Sequence, residues 1–403
     1  MAHAQTQAAR QTARWQPITL TLIAALMGIG QNGLLVSLPL LVAQGGFSLS
    51  TWAVIIAVGS VLFLPAAPFW GRISDQYGPK FVVLQALIGM ATSFALLLAA
   101  TVGAQSSAIQ WPWLALAVLA RVIYGLTVAG MVPANQHWAV LLAGEARRMQ
   151  AITSISIGLS LGRLAGPLIA SAVLLISPYA SLTLMLLLPL LGAIAISMMP
   201  HCADKKDEPH SSAHLWLAPK AIWPYMGYGL AVCAAIALLQ YNLTPMLNHL
   251  TEWSADKVSQ AIGYLLTLSG IATLAVQVLV VKRQRLSTER MLSLGAISMV
   301  IGYALLLVPH FAALVMAMVV ISGACALLIP AYTSQAMQRL DHEPGRVSGY
   351  IAMAHTLGYG FASLLATLTL NYPPLPTFTC IMLSCAVIIG VLTIKPSPPT
   401  LSR

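Results

Sequence analysis

The stretch Gly71-Arg-Ile-Ser-Asp-Gln-Tyr-Gly-Pro-Lys80 is a short polar break between two long apolar runs, Trp52 to Trp70 and Lys80 to Gly103. Each run is about as long as the ~20 residues a helix needs to cross a bilayer. Two glycines bracket the break, where Gly tolerates positive φ and lets helices approach closely. Asp75, between them, can meet the positive N-terminal end of a neighbouring helix or pair with a nearby Arg.

Working outward, the same alternation fills the chain. Ile18 to Ala43 and Trp113 to Ala139 are apolar, and eight more runs follow near 150–174, 179–199, 221–245, 257–281, 291–309, 311–335, 347–370 and 376–394. The pattern predicts an all-α membrane protein of twelve transmembrane helices. Composition agrees: 58% of residues are hydrophobic and 7% charged, against roughly a quarter charged in soluble domains. The first run is too long for the ~7–15-residue core of a signal peptide, so a retained span is expected.

Charge gives the topology. Of 20 basic residues, only Arg121 and Arg163 stand deep in apolar runs. Seventeen fall in breaks on one side, among them Arg72, Lys80, Arg147, Arg148, Lys282, Arg283, Arg339 and Arg346, while the opposite loops hold only Lys257. Basic residues accumulate on the cytoplasmic side. Both termini are therefore expected in the cytoplasm of a bacterium, with the chain multi-pass in its inner membrane. The net charge of +10 thus reflects topology and not nucleic-acid binding. The five cysteines show no CxxC spacing, which argues against a zinc site. No nucleophile–base set appears at plausible depth, so an enzyme is not expected.

The halves resemble each other. Pro133 and Pro330 end comparable runs, and an offset of 198 carries Glu145–Arg148 onto Glu343–Arg346 and Gly162 onto Gly360. Two pseudo-symmetric six-helix bundles are expected, residues 1–199 and 221–403, joined by a cytoplasmic linker at 200–220. Internal repeats of this kind place a transporter's binding site near the midplane.

Residues 71–80 resemble the signature loop of the major facilitator superfamily, G-x-x-x-D-x-x-G-x-K/R, with Gly71, Asp75, Gly78 and Lys80 in register and Pro79 replacing a usual basic residue. The resemblance implies that this loop is a cytoplasmic latch, with Glu145, Arg148, Glu343 and Arg346 as further gate residues. Arg121 to Gly125 looks like the family's R-x-x-x-G motif, in which Arg121 serves either as scaffold or as cargo contact. Gly158, Gly162, Gly166 and Pro167 resemble the motif of the antiporter and efflux branch. Small residues at 158, 162, 166 and 170 form one stripe that permits close helix packing.

Arg163 interrupts that stripe. Arg suits bidentate recognition of carboxylates, so Arg163 either contacts an anionic cargo or pairs with carbonyls and amide side chains. Gln31, Asn32, Tyr241, Asn242, Gln335, His355 and Tyr359 are further candidates for the same cavity. No acid falls in any predicted span, which disfavours ordinary cation-for-proton exchange. An anion would leave down an inside-negative potential worth ~2.3 kcal/mol per charge per 100 mV. His355, His137 and Asp75 are the proton-coupling candidates.

The reading is a secondary exporter of a small polar anionic metabolite. By analogy with relatives, a carboxylate-type siderophore is favoured. A monomer in the lipid bilayer is expected, without cofactor, metal or nucleic-acid partner, driven by the proton gradient or the membrane potential. The alternatives are a multidrug/proton antiporter and, from another class, a non-transporting receptor or enzyme.

Overall fold

In the computed structural model the described residues are 2–43, 47–107, 109–200, 218–368 and 374–393. Among them every regular element is helical. The helices are α1 (Ala2–Ala43), α2 (Leu49–Tyr77), α3 (Pro79–Ser106), α4 (Trp111–Val128), α5 (Met131–Ala143), α6 (Arg148–Leu174), α7 (Ala180–Ser197), α8 (Trp223–Leu250), α9 (Ala255–Val276), α10 (Thr288–Leu305), α11 (Phe311–Arg339), α12 (Pro344–Leu368) and α13 (Leu375–Thr393). Ten helical segments among the described residues are long and apolar enough to cross a membrane. The segments α10 and α12 are not among them. Glu289 and Arg290 open α10, and α12 is rich in Gly and small polar residues.

The fourth apolar run forms one candidate span, 111–143, whose helical hydrogen bonding is interrupted at Ala129 and Gly130 while both keep right-handed helical dihedrals. Pro133 accounts for it: its ring lacks an N–H and clashes with the carbonyl four residues earlier, at Ala129. The second run extends to Tyr77, so Asp75 lies inside α2 and within a candidate membrane span. Among the described residues the expectation that no span holds an acid fails at Asp75, and again at Glu145, which opens the candidate span 145–174.

The chain divides into two compact units. The first holds α1 to α7 together with Glu343–Gly349, at the start of α12; the second holds α8 to α11, the rest of α12 and α13. The expected linker at 200–220 falls mostly outside the described residues, as do His201 and Cys202.

In the first unit, α1 and α6 pack backbone to backbone. Side chains built on Gly158 and Gly162 would overlap the carbonyl oxygens of Thr21 and Ala25, and one on Gly28 would come 2.7 Å from the Arg163 nitrogen. Only stripes of small residues allow such an approach. In the second unit, Gly358 of α12 plays this part against Leu230 and Ala234 of α8, while among the described residues none comes within 4 Å of a side chain built on Gly360. The offset that pairs Gly162 with Gly360 therefore does not hold in the packing. It does hold for the ion pairs, since Arg148 with Glu145 and Arg346 with Glu343 each close an i,i+3 bridge.

Candidate functional site

Asp75 is the centre of the first unit's polar chemistry. Its Oδ1 accepts from the Gly345 N–H at 2.8 Å, and its Oδ2 from the Arg346 N–H at 2.7 Å. Both donors belong to the first turn of α12, where helical N–H groups lack internal partners and attract negative charge. The approach depends on glycine, because a side chain on Gly71 would overlap the Gly345 carbonyl and one on Gly345 would come 2.6 Å from the Gly71 oxygen. Gly78 ends α2 with φ of 87°, a conformation that L side chains rarely adopt.

Lys80 does something other than the motif implies. Its Nζ donates to the Ser197 carbonyl at 2.9 Å and to the Met199 carbonyl, closing the C-terminal end of α7 as cations do. Arg346 is occupied by Glu343, with Nη1 to Oε2 at 2.7 Å.

His137, on α5, is fully buried beside Asp75, its Nδ1 2.9 Å from the Ser74 hydroxyl and 3.6 Å from Asp75 Oδ1. Asp75 and His137 are separate candidates in the sequence. Their juxtaposition across 62 residues of chain, and the part of Ser74, are not legible there.

A second cluster surrounds Arg121 on α4. The side chain is buried, with the guanidinium carbon 4.2 Å from the centre of the Tyr124 ring. Its Nε is buried without a hydrogen bond, and no carboxylate pairs with it among the described residues. A side chain on Gly59 of α2 would stand 3.3 Å from that Nε, so this glycine makes room for the cation. Phe94 meets Tyr124 edge-on, with centroids 6.2 Å apart. Gln31 of α1 lies beside the Tyr124 hydroxyl, although no bond of proper geometry joins them. Arg121 and the Gln31 amide thus both lie beside Tyr124.

Arg163 is exposed, and among the described residues its side chain has neither a hydrogen bond nor an ion pair. Pro167 removes the N–H that would bond the Arg163 carbonyl, so the helix is weakened at this residue. Asn32 is satisfied by the Gly28 carbonyl of its own helix, at 3.1 Å.

In the second unit, the Tyr332 hydroxyl and His355 Nε2 are 2.6 Å apart, joining α11 to α12. Gly229 of α8 seats the imidazole: a side chain there would come 3.0 Å from His355 Cδ2. Tyr359 is partly exposed, Gln335 and Asn242 are buried, and Tyr241 is exposed. Adjacent in sequence, Tyr241 and Asn242 point in different directions and do not act as a pair. A cavity of about 490 Å³ lies at the first turns of α9 and α11, lined by Trp253, Lys257, Gln260, Tyr264 and Phe311 among others. The sequence reading missed it. The only available signal was Lys257, the one base expected in the opposite loops.

Residues 20–363 match the profile of the Major Facilitator Superfamily, and residues 229–403 match it again. The chain belongs to the major facilitator superfamily. As a member it is a multi-pass membrane transporter.

Two curated superfamily relatives align over part of it. The Staphyloferrin B transporter of Staphylococcus aureus (strain NCTC 8325 / PS 47) is 30% identical over 127 residues, 32% of this chain and 28% of its own. Multidrug resistance protein MdtG of Dickeya zeae (strain Ech586) is 31% identical over 127 residues, 31% of this chain and 28% of its own. The alignments therefore span little more than a quarter of each relative. Among solved superfamily structures, the human organic anion transporter MFSD10 (TETRAN) covers 95% of this chain and 98% of its own at a TM-score of 0.71, with 16% identity. That likeness is one of fold.

Proposed function

We propose that the protein is a secondary active exporter of a small polar anionic metabolite, with a carboxylate-type siderophore as the favoured cargo. The carrying observation is Arg121, a buried guanidinium with no carboxylate partner among the described residues. An intramembrane Arg costs ~2.5–3.5 kcal/mol on insertion scales, and an incoming carboxylate or phosphate offsets that cost through paired hydrogen bonds. Arg163, in the same unit and with its side chain unengaged, supplies a second cation. The alignment with a relative named for staphyloferrin B supports the siderophore reading.

On this reading twelve passes form two six-helix bundles in a bacterial inner membrane, with both termini inside and the protein acting as a monomer. Outward movement of an anion is driven by the inside-negative potential, by proton exchange, or by both. His355 and the His137–Asp75 pair are the groups available for proton handling. Proteoliposomes with an imposed potential test the proposal. A carboxylate-type siderophore is expected to move, and Arg121→Gln and Arg163→Ala each to slow it. Unchanged flux in both variants overturns the anion site.

The second reading is a multidrug/proton antiporter, favoured by the alignment with MdtG and by the acid found inside α2. It requires a cationic dye to be pumped against a pH gradient in the same vesicles.

A further inference from the structure

One oxygen of Asp75 faces two claimants. Oδ1 accepts the Gly345 N–H at 2.8 Å and lies 3.6 Å from His137 Nδ1, whereas Oδ2 is bonded at 2.7 Å to the Arg346 N–H alone of these groups. We infer that His137 is a proton-sensing positioning residue, acting through Asp75 to hold or release the first turn of α12. The inference rests on the transporter reading only in assuming that this contact opens during the cycle.

The physical argument starts with neutral imidazole. In that form His137 Nδ1 shares a hydrogen with the Ser74 hydroxyl at 2.9 Å, and the carboxylate accepts the two amides. A carboxylate accepting charge-assisted bonds at a helix N-terminus is a strong arrangement. Once protonated, both ring nitrogens are donors. The imidazolium then draws Oδ1 toward itself and away from Gly345. It also places a full positive charge beside the positive end of α12, which opposes docking of that helix. Both effects loosen the contact, and burial strengthens them because water screens little there.

Other charged groups surround the junction. On α3, Lys80 is committed to the Ser197 and Met199 carbonyls. At the heads of α6 and α12, Arg148 and Arg346 are each bridged to their own glutamates, Glu145 and Glu343. Arg72, on α2 itself, is partly exposed. Gln136, next to His137, bonds the Ser348 hydroxyl of α12, giving the same junction an uncharged tie that a proton leaves intact. The charged tie is therefore the one that responds to pH.

Hydrogen exchange in the full-length detergent-solubilised protein reads the amides directly. After correction for intrinsic rates, protection of the peptide covering 343–349 is expected to fall ~tenfold or more as pH drops from ~8 to ~5, the interval in which imidazole charges. His137→Gln keeps a hydrogen-bonding side chain and is expected to retain protection across that range, while Asp75→Asn loses it at every pH. His137→Asn, with thermal melts of each variant, guards against misfolding. Equal pH dependence in wild type and a folded His137 variant overturns the inference, as does pH-independent protection in wild type. Neither result depends on which cargo is carried, so failure here is separable from failure of the anion-export reading.

Discussion

The carbonyl oxygen of Ala25 occupies the space that a side chain on Gly162 would need. The helices α1 and α6 are therefore fitted backbone to backbone, and the smallest residue is a steric requirement. Gly162→Leu is expected to lower the detergent melting temperature sharply, since overpacking typically costs ~1–3 kcal/mol. Gly360→Ala, at a position where among the described residues none comes within 4 Å of the added carbon, is expected to be neutral or to stabilise α12 by up to ~1 kcal/mol. Thermal melts of the two variants side by side check the contrast.

Arg121→Met removes a buried cation and leaves an apolar side chain of similar length. The fold is expected to tolerate it, because replacing buried charge by apolar bulk is often neutral or stabilising. The lost stacking on Tyr124 costs only ~0.5–2 kcal/mol. Transport of the anion is expected to fall more than ~tenfold, the cost of losing one good charge-assisted pair. A variant that melts like wild type and transports like wild type would assign Arg121 no part in cargo binding.

Arg163→Ala is expected to leave the melting temperature unchanged, because the side chain is exposed and makes no hydrogen bond among the described residues. Its effect should appear only in flux, as a rise in the cargo concentration needed for half-maximal transport. Measuring initial rates against cargo concentration distinguishes this from a loss of stability.

Tyr332→Phe deletes the hydroxyl that lies 2.6 Å from His355, at a cost of ~0.5–1.5 kcal/mol. If His355 handles protons, the pH profile of transport moves in this variant and flattens in His355→Gln. Rates measured over pH ~5.5 to ~8.5 in both variants decide whether that histidine takes part.

Membrane class and helix order were readable because lipid demands long apolar runs and the charged residues are confined to the breaks. The 71–80 motif was readable because its glycines and Asp75 answer steric and dipolar needs at short range. What escaped detection was contact between distant residues. Asp75 and His137 are both visible in the sequence, but only the packing of α5 on α2 brings them together. The burial of Arg121 over Tyr124 and the exposure of Arg163 likewise depend on helix rotation, which apolar runs on all sides do not reveal. The α4–α5 interruption was within reach through Pro133, whose ring removes the hydrogen bond to the Ala129 carbonyl.

That interruption has a consequence for coupling. Arg121 sits on α4 and His137 on α5, so the buried cation and the proton-sensing histidine lie on either side of the Pro133 break within one span. The helices α2 and α3 pack against both α4 and α5, so substitutions in those neighbours should alter how cargo and acidity influence each other without touching either group.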